Sequence, residues 1–248
     1  MKKPNGTRMK SPVTDEAEYK RLKRREFLKL LPLAAAGVVF IPPWRDKLFE
    51  AGLAFTDKVN AAVFRPDHLA KVYSDAEVAP LERFPLNFYD VADPEVDLAA
   101  WRLKVDGLVK QPGDYALGDI AALPKYTQNV KHVCVEGWDV IGNFGGARIA
   151  DFLNKVGADT SAKYLYVECA DDYYESLDMQ TALHPQSLLC YEMYGKPLER
   201  VHGAPLGIRA PTKIGYKQAK YLTSIRVTNV LQKRGYWEDQ GYDWYYGL

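Results

Sequence analysis

The 248-residue sequence predicts a mixed α+β domain, mainly β, with a few short interspersed helices. Three observations lead there. Short runs of alternating apolar and polar residues recur from Trp101 onward, bounded by Gly, Pro and Asp, which is the pattern of half-buried strands. Helical spacing is confined to a few brief windows, and the strands do not alternate with helices as a doubly wound sheet requires. No internal repeat or low-complexity segment breaks the pattern, and the length suits one substantial core with an N-terminal extension.

The extension is set apart by charge. The whole chain carries 33 Lys and Arg against 32 Asp and Glu, but residues 1–45 alone hold 11 basic and 4 acidic residues, leaving a body of formal charge −6. An acidic body argues against nucleic acid as a partner, because phosphate-backbone binding needs a broad positive surface. Residues 21–43, RLKRREFLKLLPLAAAGVVFIPP, run from charged to apolar to a proline stop. The apolar part is shorter than the roughly 20 residues that span a bilayer comfortably, so an export signal is expected. Arg24-Arg25-Glu26-Phe27-Leu28-Lys29 resembles the bacterial twin-arginine signal. The alternative is a basic amphipathic helix lying on a membrane. Export of this kind passes folded proteins, which suits a cofactor inserted beforehand, and it places the protein in the periplasm, with an uncleaved signal as an optional tether. Residues 1–45 are therefore the signal region, 46–80 a linking helix and wrap, and 81–248 the domain.

Within 46–64, Leu48, Gly52, Phe55, Val59 and Val63 fall at helical spacing, and the Pro- and Asp-rich stretch 65–98 reads as an irregular wrap. Trp101, Leu103 and Val105 mark a strand that Asp106-Gly107 ends. A short helix is expected at 117–123, before Pro124. Over 128–136 Val130, His132 and Cys134 alternate with Lys131, Val133 and Val135, so Cys134 ends a strand on the same face as His132. A helix at 147–156 carries Ile149, Phe152, Leu153 and Val156 on one side. Strands are expected at 163–169, at 188–193 and 198–201 around Gly195-Lys196, at 205–210 and at 220–228.

Two features could carry chemistry. Cys134 is one of three cysteines, with Cys169 and Cys190, and no CxxC or CxxCH occurs to mark a c-type haem, iron–sulfur or structural zinc site. A cysteine in an apolar strand is most often buried core, yet a thiolate at a strand end beside Gly137 is also a soft ligand open on one side. The second feature is the stretch from Gly203 to Trp237, which has no acidic residue but holds Arg209, Lys213, Lys217, Lys220, Arg226, Lys233 and Arg234. It reads either as an anion site or as a solvated basic face.

Together these pieces resemble the molybdopterin-binding domain of the sulfite oxidase family, in its exported bacterial branch. The carrying motifs are Val133-Cys134-Val135-Glu136-Gly137-Trp138, Tyr191-Glu192-Met193-Tyr194-Gly195-Lys196-Pro197-Leu198, His202-Gly203-Ala204-Pro205-Leu206, Gly215-Tyr216-Lys217-Gln218-Ala219-Lys220-Tyr221 and Gly235-Tyr236-Trp237. They follow the family's order over about residues 85 to 240. The resemblance implies the family's mainly-β fold with few helices, and a molybdenum–molybdopterin cofactor with Cys134 as the single protein ligand to the metal. It implies that the pterin phosphate lies against 202–220, contacted by His202 and by a loop of Gln218, Ala219 and Lys220. Asn87, Tyr89 and Asp90 match a stretch that reaches the cofactor, and Cys169 stands where relatives place a pterin-contacting Thr. The family arginine that often follows Gly-Ala-Pro-Leu is Gly207 here, and Arg209, on the same strand face, is expected to substitute for it.

A two-electron oxygen-atom transfer follows from that resemblance, with electrons from a separate cytochrome or haem-bearing membrane partner and a monomeric chain. Val135, Glu136, Gly137, Trp138 and Asp139 after the cysteine make a poor pocket for a dianion, so reduction of a small S-oxide or N-oxide such as methionine sulfoxide is expected in preference to sulfite oxidation. Arg148 would weaken that expectation if it reached the metal. Sulfite dehydrogenation is the alternative within the family, and a non-catalytic anion-binding or assembly module the alternative outside it. His68 and His184 read as structural or surface residues, His132 as a donor behind the metal ligand. The aromatic tail from Tyr236 to Tyr246 reads as packing, a funnel wall or a docking surface.

Overall fold

Strands separated by tens of residues in sequence assemble into two sheets. The computed structural model describes residues 45–63, 65, 68–88 and 94–248. Arg24 and Arg25, as well as Tyr89 and Asp90, lie outside the described residues. Helix α1 spans Arg45–Val63, and residues 53–248 cluster as one unit, separate from residues 1–52. The first sheet runs in the order β2 (Gly113–Tyr115), β1 (Leu103–Gly107), β10 (Leu222–Thr228), β5 (Tyr164–Cys169), β6 (Tyr174–Asp178). Its β1–β10 pair is parallel and the others antiparallel. The second sheet orders β3 (Lys125–Val133), β4 (Asp139–Arg148), β7 (Leu188–Met193) and β8 (Lys196–Pro197), with β9 (Gly207–Arg209) also on β7. Short helices α2 (Leu117–Ala121), α3 (Ile149–Lys155) and α4 (Met179–Leu183) lie between strands. This is the α+β, mainly-β class the sequence predicts.

Period-two patterning explains the larger core. Leu103 and Val105 of β1, Leu165 and Val167 of β5, and Ile225 and Val227 of β10 all point inward, where Ile149, Phe152 and Leu153 of α3 meet them. Each such side chain contributes about 1.5–3 kcal/mol on burial. A second cluster joins Phe84 from the wrap to Val130, Val140 and Phe144 of the β3–β4 hairpin, with Phe84 and Phe144 edge to face at 5.8 Å. That cluster forms one side of the cleft described below.

Several elements depart from the pattern reading. The strand expected at 198–201 is instead the two-residue β8 followed by a 3-10 turn at Arg200–His202. A hairpin turn with Tyr194 and Gly195 both at positive φ delivers the chain there, and the Tyr194 hydroxyl donates to Ala79 O at 2.7 Å. Strands β2, β4 and β6 and helix α4 have no counterpart in the sequence pattern. Strand β3 starts earlier than the alternation suggests and stops at Val133, so Cys134 opens the turn rather than closing the strand.

Strand β4 contains Gly142, Gly145 and Gly146, which mask it as a loop in sequence. A Cβ at Gly146 would stand 2.1 Å from the Leu189 carbonyl oxygen on β7, at the bulge where the β4–β7 register shifts. Backbone cannot move aside cheaply there. Gly146→Ala is expected to destabilise the domain by about 2–4 kcal/mol, read as a lowered urea midpoint with an unchanged m-value.

Candidate active site

The turn after β3 presents a thiol to a cleft. Cys134 N donates to Trp138 O at 2.9 Å and Gly137 N to Cys134 O at 3.1 Å, a tight loop in which Gly137 takes φ 91°. The thiol is free and buried, and it lines the cleft. Burial pushes it above the ordinary cysteine range, and the neighbouring Glu136 carboxylate adds to the effect. Glu136 is held below its ordinary range by the indole N–H of Trp138, which donates to it at 2.9 Å, and by the Asn87 amide at 3.2 Å. The same Asn87 amide lies 3.5 Å from the Cys134 sulfur. Asn87, Cys134 and Glu136 therefore meet in one place, although they come from different segments.

Next to them stand Arg209, buried, and His132, half-buried. Arg209 on β9 is a donor only, and its Nη1 donates to His132 Nδ1 at 3.0 Å, so His132 carries any neutral-ring proton on Nε2. The guanidinium stacks 4.1 Å from the Phe144 ring centroid. Burial, then the Arg209 charge, lower the His132 pKa to about 3. Arg209 thus reaches the cleft wall, but it is engaged with His132. His202 lies on the same wall, edge to face with Phe84 at 5.8 Å.

The loop after β9 completes the lining. A 3-10 turn at Gly215–Lys217 leads into Gln218, Ala219 and Lys220, all of which line the cleft. The Gln218 side chain is spent inside the loop, accepting from Ala210 N at 2.8 Å and donating to Ala210 O at 2.7 Å and Lys213 O at 3.0 Å. It braces the loop. Ala219 offers a backbone N–H with no partner among the described residues, and Lys220 bonds the Asn87 carbonyl oxygen through Nζ, with Phe88 4.2 Å away. An N–H and an ammonium on one loop suit an anion.

Most of the basic run is neutralised internally, contrary to a single anion patch. Lys213 pairs with Asp178 at 3.4 Å, Arg226 binds Asp106 through two nitrogens at 2.6 and 2.9 Å, and Arg234 pairs with Asp57. Lys217 is buried between Glu175 at 2.8 Å and Glu238. Of the remaining expected residues, Cys169 ends β5 within the larger core and is not part of the cleft wall among the described residues; Asp171 and Tyr173, from the turn just after it, are. Arg148 lies 3.8 Å over the Tyr126 ring, away from Cys134. Sequence reasoning named neither Tyr173 nor Glu175, since an acid two residues from a tyrosine gives no signal without the fold. The tail mostly packs: Tyr245 O accepts from Lys213 at 2.6 Å and Asp243 O from Tyr216 at 2.6 Å, while Trp237 lines the cleft.

Among the described residues no three His, Cys, Asp or Glu side chains converge on a metal. One thiol supplies one ligand, so a metal at Cys134 needs sulfur or oxygen from a bound group. A lone thiol and an anion-binding loop lining the same cleft fit a metal carried by a phosphate-bearing organic ligand. Fold and cleft together define a molybdopterin-binding oxidoreductase of the sulfite oxidase type. Residues 90–237 match the oxidoreductase molybdopterin-binding domain family, and the chain belongs to that family. It is similar to a protein-methionine-sulfoxide reductase subunit, YedZ1, of Azospira oryzae, with 39% identity over 98% of this chain and 95% of the relative. It is also similar to the protein-methionine-sulfoxide reductase catalytic subunit MsrP of Ralstonia nicotianae, 30% identical over 82% of this chain and 68% of the relative. The fold is shared with the sulfane dehydrogenase SoxCD of Paracoccus pantotrophus at a TM-score of 0.52 and 20% identity, covering 56% of this chain and 40% of that one.

The Glu175–Lys217–Glu238 cluster ties the loop to stability. Burial pushes the Glu175 carboxyl well above its ordinary range against the pull of Lys217, and Glu238 adds to the push. The folded state then holds a proton that the unfolded chain releases above about pH 4.5, so this contribution is full below that pH and is lost as pH rises toward the folded value. Glu238→Gln leaves Glu175 alone with Lys217 and shrinks the shift. Urea midpoints should therefore fall more steeply as pH rises above about 4.5 in the wild type than in Glu238→Gln.

Proposed function

We propose that this chain is the catalytic part of an exported molybdenum enzyme that reduces methionine sulfoxide, or a closely similar S-oxide, using electrons from a separate haem-bearing partner. The observation that carries the reading is the free Cys134 thiol lining a cleft that the 218–220 loop also lines. The names of the relatives supply the substrate. Cys134 would hold the metal, and Ala219 N–H with Lys220 and His202 would hold the phosphate end of the pterin. When bound, the cofactor supplies a metal centre that cycles by two electrons as an oxygen atom leaves the substrate.

The chain's own residues decide what can approach. Glu136 is kept ionised beside the cysteine by Trp138 and Asn87, so a dianion such as sulfite meets a like charge at the thiol, whereas an uncharged sulfoxide does not. Of the cations that could offset this, Arg148 is held on Tyr126, Arg209 is engaged with His132, and Lys220 bonds the Asn87 carbonyl. Trp138 and Phe88 give the mouth an apolar lining suited to a thioether side chain. Periplasmic placement rests on the twin-arginine resemblance at Arg24-Arg25, and no helix among the described residues is long and apolar enough to cross a membrane.

Cys134→Ala should fold, costing about 1 kcal/mol or less in packing, while abolishing dye-coupled reductase turnover and the Mo(V) paramagnetic signal. A variant with full turnover would refute the ligand assignment. Steady-state kinetics on the wild type should show methionine sulfoxide turned over in preference to sulfite; efficient sulfite oxidation with S-oxides inert would overturn the substrate assignment. Replacing Arg24 and Arg25 together by Lys should leave the protein in the cytoplasmic fraction, and undiminished periplasmic protein would contradict the export signal.

A further inference from the structure

Behind the loop wall of the cleft, two carboxylates share one lysine. Glu175 on β6, Lys217 in the 3-10 turn and Glu238 near the C-terminus all have side chains at most 1% exposed. Lys217 Nζ lies 2.8 Å from Glu175 Oε1 and in contact with Glu238 Oε1, and also donates to Ser176 O at 3.1 Å. Both carboxyl groups close on Gly235, where a Cβ would lie 2.1 Å from Glu238 Oε2 and 2.6 Å from Glu175 Oε1. Two ionised carboxylates against one ammonium would leave a net negative charge sealed from water, which is costly unless a proton joins the cluster.

The cluster is not isolated from the cleft. Glu175 Oε2 lies 3.4 Å from the hydroxyl of Tyr173, and Tyr173 lines the cleft wall. That hydroxyl also donates to Tyr216 O at 2.7 Å, so a rotation of one O–H bond switches it between carbonyl and carboxyl. Around Glu175 the other facing groups are Lys217, Glu238, the Ser176 amide and, more remotely, Cys169.

We propose that Glu175, crowded by the Lys217–Glu238 pair, carries an exchangeable proton and that Tyr173 connects it to the cleft, making Glu175 the internal proton source for reduction there. This rests on the S-oxide reductase reading above. Reducing a sulfoxide to its thioether breaks the S–O bond and releases the oxygen as water, consuming two electrons and two protons. The electrons arrive one at a time from the haem-type donor. One proton leaves the Tyr173 hydroxyl toward the cleft and is replaced from Glu175, and the second comes from solvent. Glu175 then reloads through Tyr173 between turnovers, since the cluster itself is sealed from water. Burial holds the Tyr173 phenol well above its ordinary range, so it passes protons as a neutral hydroxyl and does not persist as phenolate.

The test uses the cofactor-loaded enzyme and infrared spectroscopy near neutral pH. The wild type should show the C=O stretch of a protonated buried carboxyl that shifts on transfer to deuterated water. Glu238→Gln should remove it by leaving Glu175 in a one-to-one pair with Lys217, and Glu175→Gln serves if the first variant folds poorly. Because Asp171 also faces the cleft with a raised pKa, assignment depends on these variants. Tyr173→Phe should keep the band and the molybdenum content, slow the deuteration of the band, and lower kcat for methionine sulfoxide by about 100-fold with KM little changed. No such band in the wild type overturns the proposal, as does a Tyr173→Phe enzyme that deuterates and turns over like the wild type. The band and its exchange are read without substrate, so a wild type inert toward S-oxides would sink the substrate reading and leave the Glu175 proton standing.

Discussion

The ammonium of Lys217 is the point on which the cleft's geometry depends. It sits in the turn that launches the 218–220 loop and is gripped by Glu175 from the first sheet and Glu238 from the C-terminal tail. Three segments distant in sequence are thereby fixed to one atom. Breaking a buried pair by removing one partner costs about 3–5 kcal/mol, because the remaining charge is stranded, so a misplaced loop is penalised far more than surface charges could manage. The neighbouring Ser176 hydroxyl donates to Arg234 O and accepts from the Trp244 indole, which fastens the tail beside the same cluster. An anion loop built this way is rigid before any ligand arrives, which is what preorganised binding requires.

Charge is arranged on the same principle along the rest of the basic stretch. Acids from elsewhere in the fold meet Lys213, Lys217, Arg226 and Arg234, while Arg209 is set against the neutral His132. What looks in sequence like an uninterrupted positive run is therefore, in three dimensions, a series of separate anchors for the 203–237 segment. Lys220 is the member whose ammonium stands at the cleft, beside the Asn87 carbonyl. An anion at that wall meets one cation and backbone N–H groups, an arrangement that recognises a phosphate by shape as well as by charge.

This explains what could be read from the chain alone and what could not. Leu103, Val105, Leu165, Val167, Ile225 and Val227 announce their strands because one face is buried and the period is two. Strand β4 does not, because its glycines are there for the approach of the Leu189 carbonyl, a contact with a strand far along the chain. Cys134 alone reads as buried core, and it is singled out, like His202, Gln218, Ala219 and Lys220, through the motif around it. All five reach the cleft. The detailed duties were not legible: Gln218 faces the cleft but spends its side chain on Ala210 and Lys213, Arg209 is committed to His132, and Cys169 lies in the core one turn short of the wall that Asp171 and Tyr173 occupy. Side-chain commitments of this kind depend on partners from other strands, and no local spacing encodes them.

The balance of charge within the cleft follows from the same commitments. Beside the thiol the ionised Glu136 is fixed by the Trp138 indole and the Asn87 amide, while Asp171 adds a carboxyl whose burial favours its neutral form against the pull of Lys220. The Ala219 amide and Lys220 favour negative charge, so a cofactor with a phosphate tail would satisfy them permanently. In a low dielectric a like charge within a few ångströms opposes approach, so the space beside Cys134 and Glu136 admits neutral, polarisable groups more readily than oxyanions. Placing the Glu175 carboxyl next to Tyr173, away from this space, lets protons reach the cleft without adding a further fixed negative charge to it.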